Sequence, residues 1–217
     1  MLSAADIVEL HDRQTHAWHH EPDKPRAISA ESQSKAGKQR KPEEEWLEAV
    51  ALQHRANFDL WHIEDEARAP GATDTQLAAV KRRIDTTNQS RNDLAEELDR
   101  MLLVWLEERE LPNPTAPLNS ESPGLIVDRL SILALKIYHT REEAGREAAP
   151  PGHAERNRIR LAILEEQRAD LAACLDALWR ETLAGRRRFK LYLQLKMYND
   201  PSLNPAIYRK LARRPER

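Results

Sequence analysis

Residues 123–145 read PGLIVDRLSILALKIYHTREEAG, and their pattern of apolar residues is the strongest indication of how the chain folds. Apolar residues recur along one side at helical spacing, namely Ile126, Leu130, Leu133 and Ile137. The opposite side is mixed and carries Asp128, Ile132, Leu135 and His139. A helix that is apolar on two sides is covered from two directions. We therefore expect residues 123–145 to form the central helix of a bundle, with Asp128 and His139 at least partly buried.

Four more helices are predicted around this segment, over residues 3–20, 42–69, 75–109 and 153–185. Each of them spaces its apolar residues by three and four, whereas no segment shows the period of two that is typical of strands. Ser3 and Asp74 are the predicted N-caps of the first and third helices. The sequence therefore predicts an all-α fold, a bundle of four to five long antiparallel helices with a short C-terminal helical tail.

The predicted domain organisation is one helical bundle, residues 1–185, followed by a basic tail, residues 186–217. Residues 21–42 are polar and contain three Pro, so we expect a flexible loop there within the bundle domain. Residues 206–213 could form a last short helix. Residues 180–217 hold 11 Lys and Arg against 3 Asp and Glu, although the whole chain has a net charge of −2.

Composition excludes several classes of protein. The single Cys rules out a disulfide framework and Cys-based metal sites, and no apolar run is long enough to span a bilayer. The N-terminal residues lack the basic and apolar regions of a secretory signal, so the expected location is the cytoplasm. No Walker loop and no GxGxxG motif is present. The sequence pI near 6.5 makes nucleic acid an unlikely partner.

Polar residues fall on apolar faces of the predicted helices when these are drawn at about 100° per residue. The second helix places Asn57, Asp65 and Arg68, with His54, near the centre of its apolar stripe and Glu64 at the edge; the third places Arg91 in the stripe and Asn88 beside it. An unpaired charge in a core costs several kcal/mol. Such groups either form structural ion pairs or line a polar pocket, and both interpretations stay open.

The residue types suggest roles for a pocket between the helices. Asn57, Asn88, Arg91 and Arg68, with Arg168 of the fifth helix, offer planar donors and are the predicted binding residues for an anionic group. Asp65, Asp128 and His139 are the predicted catalytic residues, and buried His54 is a second acid–base candidate. Glu64, Asp65 and Asp128 are the predicted ligands of a divalent cation, the one cofactor that the sequence leaves open. His16 and His20 lie one turn apart without an evident third ligand.

Four stretches resemble a bacterial family known as domain of unknown function 4254. They are QHRANFDLWHIEDEAR (53–68), KRRIDTTNQSRND (81–93), LNSESPGLIVDRLSILALKIYH (118–139) and GRRRFKLYLQLKMYNDPSLNPAIY (185–208). The resemblance implies a mainly helical protein of about this size and supplies no catalytic role. It also implies a context near cell-surface polysaccharide and glycosyltransferase genes.

Two functions fit these observations best, and binding of nucleic acid or of an anionic membrane surface through the basic tail is a third alternative. The first is binding, with or without processing, of an anionic small molecule such as a phosphate or a nucleotide sugar in the polar pocket. The alternative is a non-enzymatic adaptor that binds partner proteins of envelope polysaccharide assembly. Interior polar residues that converge on an open cleft favour the first, and a large exposed apolar patch favours the second.

Overall fold

The computed structural model describes residues 3–20, 41–195 and 202–205, and most of them lie in five helices. These are α1 (Ala4–His20), α2 (Pro42–Glu66), α3 (Asp74–Glu107), α4 (Pro123–Gly145) and α5 (His153–Leu183). The helices pack against one another, and the described residues contain no strand beyond one isolated bridge, so the predicted all-α bundle is confirmed. None of these helices combines the length and the apolarity needed to cross a membrane.

Local hydrogen bonds explain where α1 and α3 begin. The Ser3 hydroxyl accepts from the Asp6 N–H at 3.2 Å and the Asp6 carboxylate accepts from the Ser3 N–H at 2.9 Å, so Ser3 is the N-cap of α1, as predicted. The predicted cap of α3 is wrong by one residue. Thr73 is the N-cap, because its hydroxyl accepts from the Gln76 N–H while the Gln76 side chain accepts from the Thr73 N–H.

From α2 onwards consecutive helices run antiparallel, as the register of α2 against α3 shows, whereas α1 runs parallel to α2. Trp46 at the start of α2 donates its indole N–H to the carbonyl of Leu98 late in α3, at 3.3 Å. Glu66 at the end of α2 pairs with Arg83 early in α3. A short connection also joins α4 to α5, and these two helices share the most extensive contact in the molecule.

The central helix is α4, as predicted, because it contacts each of the other four helices. Its core-facing apolar residues are all buried, namely Ile126, Val127, Leu130, Ala134, Leu135 and Ile137. Burying one large aliphatic side chain contributes about 1.5–3 kcal/mol, so α4 carries a large share of the bundle's hydrophobic stabilisation.

The start of α4 lies against α3 at a distance that only glycine permits. The Gly124 N–H donates to Asp99 Oδ1 at 2.7 Å, and a Cβ on Gly124 would lie 2.2 Å from the Ala95 carbonyl oxygen. The Asp99 carboxylate thereby occupies the N-terminus of α4, where the helix dipole favours negative charge. Burial nevertheless dominates and raises the pKa of Asp99 to about 6.

The first residues of the predicted basic tail pack against the bundle. The Phe189 side chain is buried in the core, while the Arg188 N–H donates to the Pro117 carbonyl at 3.0 Å and the Arg188 carbonyl accepts from the Asn119 N–H at 2.7 Å. The predicted loop 21–42 lies outside the described residues except for its last two, the second of which starts α2. The predicted helix 206–213 lies wholly outside them.

We expect Asp99→Asn to stabilise the protein above pH 6. The folded-state pKa of about 6 exceeds the ordinary value of 3.8, so the stability that protonated Asp99 contributes is full below pH 3.8 and is lost as the pH rises through 6. The asparagine oxygen still accepts from Gly124 and never ionises. Melting curves from pH 4 to 8 should show a gain for the variant that grows with pH to about 3 kcal/mol.

Asp170→Asn is the control, because Asp170 is an exposed carboxylate outside this contact. Its melting temperature should follow that of the wild type at every pH. An Asp99→Asn variant whose stability difference does not change with pH contradicts the assignment.

Candidate functional site

An open cleft of about 380 Å³ lies between α2, α3 and α4. Its lining residues are Asn57, Leu60, Trp61, Glu64, Asp65, Arg68, Arg91, Ile132 and Leu135. The structure therefore brings five of the predicted site residues to one place. Four of them come from residues 57–68, at the end of α2 and just after it, and the fifth, Arg91, comes from α3, so helix packing brings residues that are far apart in sequence to one wall.

Beside this cleft, the Asp128 carboxylate of α4 is held by three side chains. Arg91 of α3 donates through Nε to Oδ1 at 2.7 Å and through Nη2 to Oδ2. Gln53 and Asn57 of α2 also donate to Oδ1, at 2.5 and 2.9 Å. The ion pair raises the pKa of Arg91, with the hydrogen bond to Asp128 as the main cause. Asp128 thus has its acceptor sites filled by protein donors, as expected for a buried carboxylate.

From Asp128 a chain of hydrogen bonds continues to α1. The Asn57 amide also donates to Ser131 Oγ at 2.9 Å, and Ser131 Oγ contacts His54 Nδ1 at 2.7 Å. His54 Nε2 contacts Thr15 Oγ1 at 2.9 Å and the carbonyl of His11 at 3.1 Å. A carbonyl only accepts, so Nε2 carries the proton and Nδ1 accepts from the Ser131 hydroxyl.

His54 is a structural member of this chain. Its side chain is fully buried, and burial lowers its pKa to about 3. A neutral, sealed imidazole holds α1, α2 and α4 together and has no solvent route for proton exchange. The geometry therefore does not support the predicted acid–base role of His54.

The end of α2 is more open than the helical wheel indicated. Asp65 and Arg68 fall near the centre of the predicted apolar stripe, yet both are exposed, because the last turns of α2 border the cleft instead of a packed helix. Arg68 pairs with Glu64 one turn earlier, at 3.2 Å. On the cleft's α3 side, Arg91 Nη1 reaches Asn88 Oδ1 at 3.4 Å.

His139 belongs to a second group, which we name the histidine cluster: His19 of α1, His62 of α2 and His139 of α4. One ring nitrogen of each lies within 4.8 Å of the other two. In all three rings Nδ1 has a hydrogen-bond partner. His19 Nδ1 contacts the Thr15 carbonyl at 2.7 Å, and His62 Nδ1 contacts the Phe58 carbonyl at 2.8 Å. His139 Nδ1 contacts Glu142 Oε2 at 3.0 Å. The partly buried setting lowers the pKa of His19, chiefly through desolvation.

Aromatic rings fix the planes of the histidine cluster. Tyr138 stacks on His19 with ring centroids 4.3 Å apart and an interplanar angle of 17°. Trp61 stacks on His139 at 4.9 Å and 11°. Trp61 also lines the cleft, so this one indole separates the histidine cluster from the cleft and contacts both.

Two sets of predicted site residues are not placed as expected. Arg168 lies away from the cleft, because Nη1 donates to both oxygens of Asp12 on α1, at 2.7 and 2.9 Å. The carboxylates Glu64, Asp65 and Asp128 are not gathered at metal-ligand distances; among the described residues only the histidine cluster meets that criterion. The reason is that Asp128 turns towards Arg91 and its amide partners, whereas Glu64 pairs with Arg68.

Sequence reasoning overlooked four residues of these two groups: Gln53, Ser131, His19 and His62. Ser131 could have been found, because it lies three residues after Asp128 and hence on the same face of α4. His19 lies beside His16 and His20 at the end of α1, where a run of polar residues indicates a solvated helix end. Its partners belong to two other helices, so spacing along α1 gives no signal of the histidine cluster.

Comparison with protein families bears on these residues. The family model described as "Protein of unknown function (DUF4254)" matches residues 47–191. The chain belongs to this family. The DUF4254 match contains every residue of the cleft as well as His62 and His139, whereas α1, with His19, lies before it. No curated protein and no solved structure matches the chain significantly.

The geometry predicts that Arg91→Met is destabilising. The substitution leaves the buried Asp128 carboxylate without its cationic partner, which typically costs about 3–5 kcal/mol. Chemical denaturation should show this loss, and adding Asp128→Asn to the variant should recover much of it, because the stranded charge is then removed.

Arg83→Met is the matched control. Arg83 of α3 likewise pairs with a carboxylate on another helix, but its partner, Glu66 of α2, is about half exposed, so the change should stay within about 0.5 kcal/mol. An Arg91→Met protein as stable as the wild type would show that Asp128 does not depend on this ion pair.

Proposed function

We propose that the chain binds a small molecule that carries both an anionic group and hydroxyl groups, of the sugar phosphate or nucleotide sugar class, in the cleft between α2, α3 and α4. One observation carries the proposal: two guanidinium groups, those of Arg68 and Arg91, line one cleft together with hydrogen-bond acceptors and an indole ring. Concave sites with a few convergent polar groups are the usual sites of small-ligand binding.

Both arginines have donor capacity for an anion. A guanidinium has five N–H groups, and the hydrogen bonds of Arg91 to Asp128 and Asn88 use three of them. Among the described residues Arg68 binds only Glu64, whose backbone carbonyl and side-chain carboxylate both accept from it in an exposed pair. Exposed pairs contribute little, about 0–1 kcal/mol, so a phosphate can replace Glu64 at low cost.

The other lining residues suit the remainder of such a ligand. Glu64 and Asp65 offer carboxylate oxygens that accept hydrogen bonds from hydroxyl groups, and Asn57 adds an amide. Trp61 supplies a flat apolar surface for a sugar or base ring. These side chains together carry both signs of charge, which favours a ligand with an anionic part and a neutral polar part over a simple anion.

The proposal extends to processing and to context. If the bound molecule is also chemically processed, the predicted catalytic residues near the site are Asp65, which lines the cleft, and His139, which lies on the other side of Trp61. We place the activity in the cytoplasm and in cell-surface polysaccharide biosynthesis, which is the context that the family resemblance implies.

An adaptor is the second candidate function, and one observation favours it. A groove of about 360 Å³ between the start of α2 and the end of α3 is lined by Trp46, Met101, Val104 and Trp105. Val104 is 57% exposed, which is high for a valine among aromatic neighbours. In this alternative a partner protein of envelope polysaccharide assembly covers the groove, and the cleft has no ligand.

Ligand binding is tested by thermal shift and calorimetry with glucose 1-phosphate, a uridine diphosphate sugar, inorganic phosphate and free glucose. We expect the two sugar phosphates to raise the melting temperature more than phosphate or glucose alone. Arg68→Met should weaken their binding roughly tenfold, because it removes a charge-assisted hydrogen bond, without altering the fold.

Arg158→Met is the control, because Arg158 forms a similar exposed pair within one helix, with Glu155 on α5 and away from the cleft. It should bind like the wild type. Equal binding by Arg68→Met, or no stabilisation by any of the four compounds, refutes the cleft proposal. In that case, disruption of a purified complex between this chain and a partner protein by Val104→Asp would support the adaptor function.

A further inference from the structure

We infer that His19, His62 and His139 form a binding site for a divalent transition metal of the Zn²⁺ type. The site draws one ligand from each of three helices and leaves a coordination position for water or another ligand. This inference is independent of the cleft proposal, because it rests on the geometry of the histidine cluster alone.

The first support is the tautomeric state that the hydrogen bonds impose. Nδ1 of His19 faces the Thr15 carbonyl and Nδ1 of His62 faces the Phe58 carbonyl. Carbonyl oxygens only accept, so both Nδ1 atoms carry the proton and both Nε2 atoms carry a lone pair. Nδ1 of His139 faces the Glu142 carboxylate, which imposes the same tautomer. The three rings therefore have their Nε2 lone pairs available for a metal.

The second support is that two of these lone pairs lack a protein donor. The Nε2 atoms of His19 and His139 are buried and have no hydrogen-bond partner among the residues that the structure describes. Buried polar atoms normally have a hydrogen-bond partner, and leaving one without a partner destabilises the fold. A cation among the three rings would satisfy them at once, whereas a nearby side-chain donor would satisfy only one.

The third support is the fit to known coordination chemistry. Zinc sites with three protein ligands keep a fourth position open, and Zn–N bonds of about 2.0–2.1 Å place tetrahedral nitrogens about 3.3 Å apart. The ligand atoms lie within 4.8 Å of one another, so small side-chain rotations close the site. Metal-bound histidines typically donate their other N–H to a carbonyl or a carboxylate, as all three do in this structure.

The surroundings of the site restrict ring motion. Tyr138 stacks on His19 and Trp61 stacks on His139, while Phe58 lies 4.3 Å from the His62 ring, centroid to centroid. Rings held in this way lose little entropy when they bind a metal, which favours affinity. Imidazole nitrogen suits zinc, copper, nickel and iron better than magnesium or calcium. The expected ligand is therefore a transition metal, in contrast to the oxygen-bound cation that the carboxylates suggested.

The test uses the full chain, freed of metal by a chelator and then dialysed. Calorimetric titration with Zn²⁺ should give one strong site per chain, and Co²⁺ should give the intense visible absorption of a tetrahedral nitrogen site. His19→Gln, His62→Gln and His139→Gln should each weaken Zn²⁺ binding at least about 100-fold. Glu142→Gln, which alters only the partner of His139, should weaken it about 10- to 100-fold.

His16→Gln is the matched control, because His16 is an exposed histidine on α1 whose ring lies 4.2 Å from that of His20, centroid to centroid, and which is outside the histidine cluster. It should bind Zn²⁺ like the wild type, and circular dichroism should show native helix content for every variant scored. Absence of a stoichiometric site in the wild type overturns the inference. So does binding that His16→Gln abolishes and the three cluster variants leave intact, which would assign the metal to the surface pair. Using three separate substitutions keeps the test valid if one variant fails to fold.

Discussion

The bundle depends on the ion pair between Asp128 and Arg91, because a carboxylate at the centre of three packed helices cannot remain without partners. Arg91 approaches from α3, whereas Gln53 and Asn57 approach from α2, and all three donate to the same carboxylate. Such an arrangement adds little net stability compared with apolar packing, but it penalises any register in which a donor is missing. The polar contact therefore fixes how α2, α3 and α4 are positioned, and the apolar contacts supply most of the free energy of folding.

The same register aligns the cleft and the histidine cluster along one interface. Asp128, Ser131, Leu135 and His139 follow one face of α4 at spacings of three and four residues. Eleven residues of helix separate the first from the last, which is about 16 Å along the axis. On α2, the polar residues from Gln53 to His62 follow the opposing face. A polar seam thus runs between α2 and α4, with the ion pair at one end, Trp61 between the two sites, and the histidines at the other end.

How much the sequence predicts differs between the fold and the site. The helices are predicted to within three residues, because each has an apolar stripe and clear breakers at its ends. The burial of Asp128 is predicted too, because α4 is apolar on two sides. A helical wheel shows which way a side chain points but not whether another helix packs over it. Asp65 and Arg68 are for this reason predicted to be buried, whereas the structure exposes both. The histidine cluster needs the rotation and axial shift of three helices, and no spacing within a single helix encodes them.

The distribution of unsatisfied atoms distinguishes the histidine cluster from the rest of the seam. A series of hydrogen bonds links Arg91, Asp128, Asn57, Ser131 and His54, and each donor in it has an acceptor. Elsewhere among the described residues, Gln53 Oε1 and the ring nitrogens of His11 also lack partners, but His11 belongs to no group of three potential metal ligands. In the histidine cluster one ring nitrogen of each of the three histidines lies within 4.8 Å of the other two, and neutral lone pairs that face one another repel. Helix packing alone gives no reason to gather them, whereas a shared cation turns that repulsion into coordination.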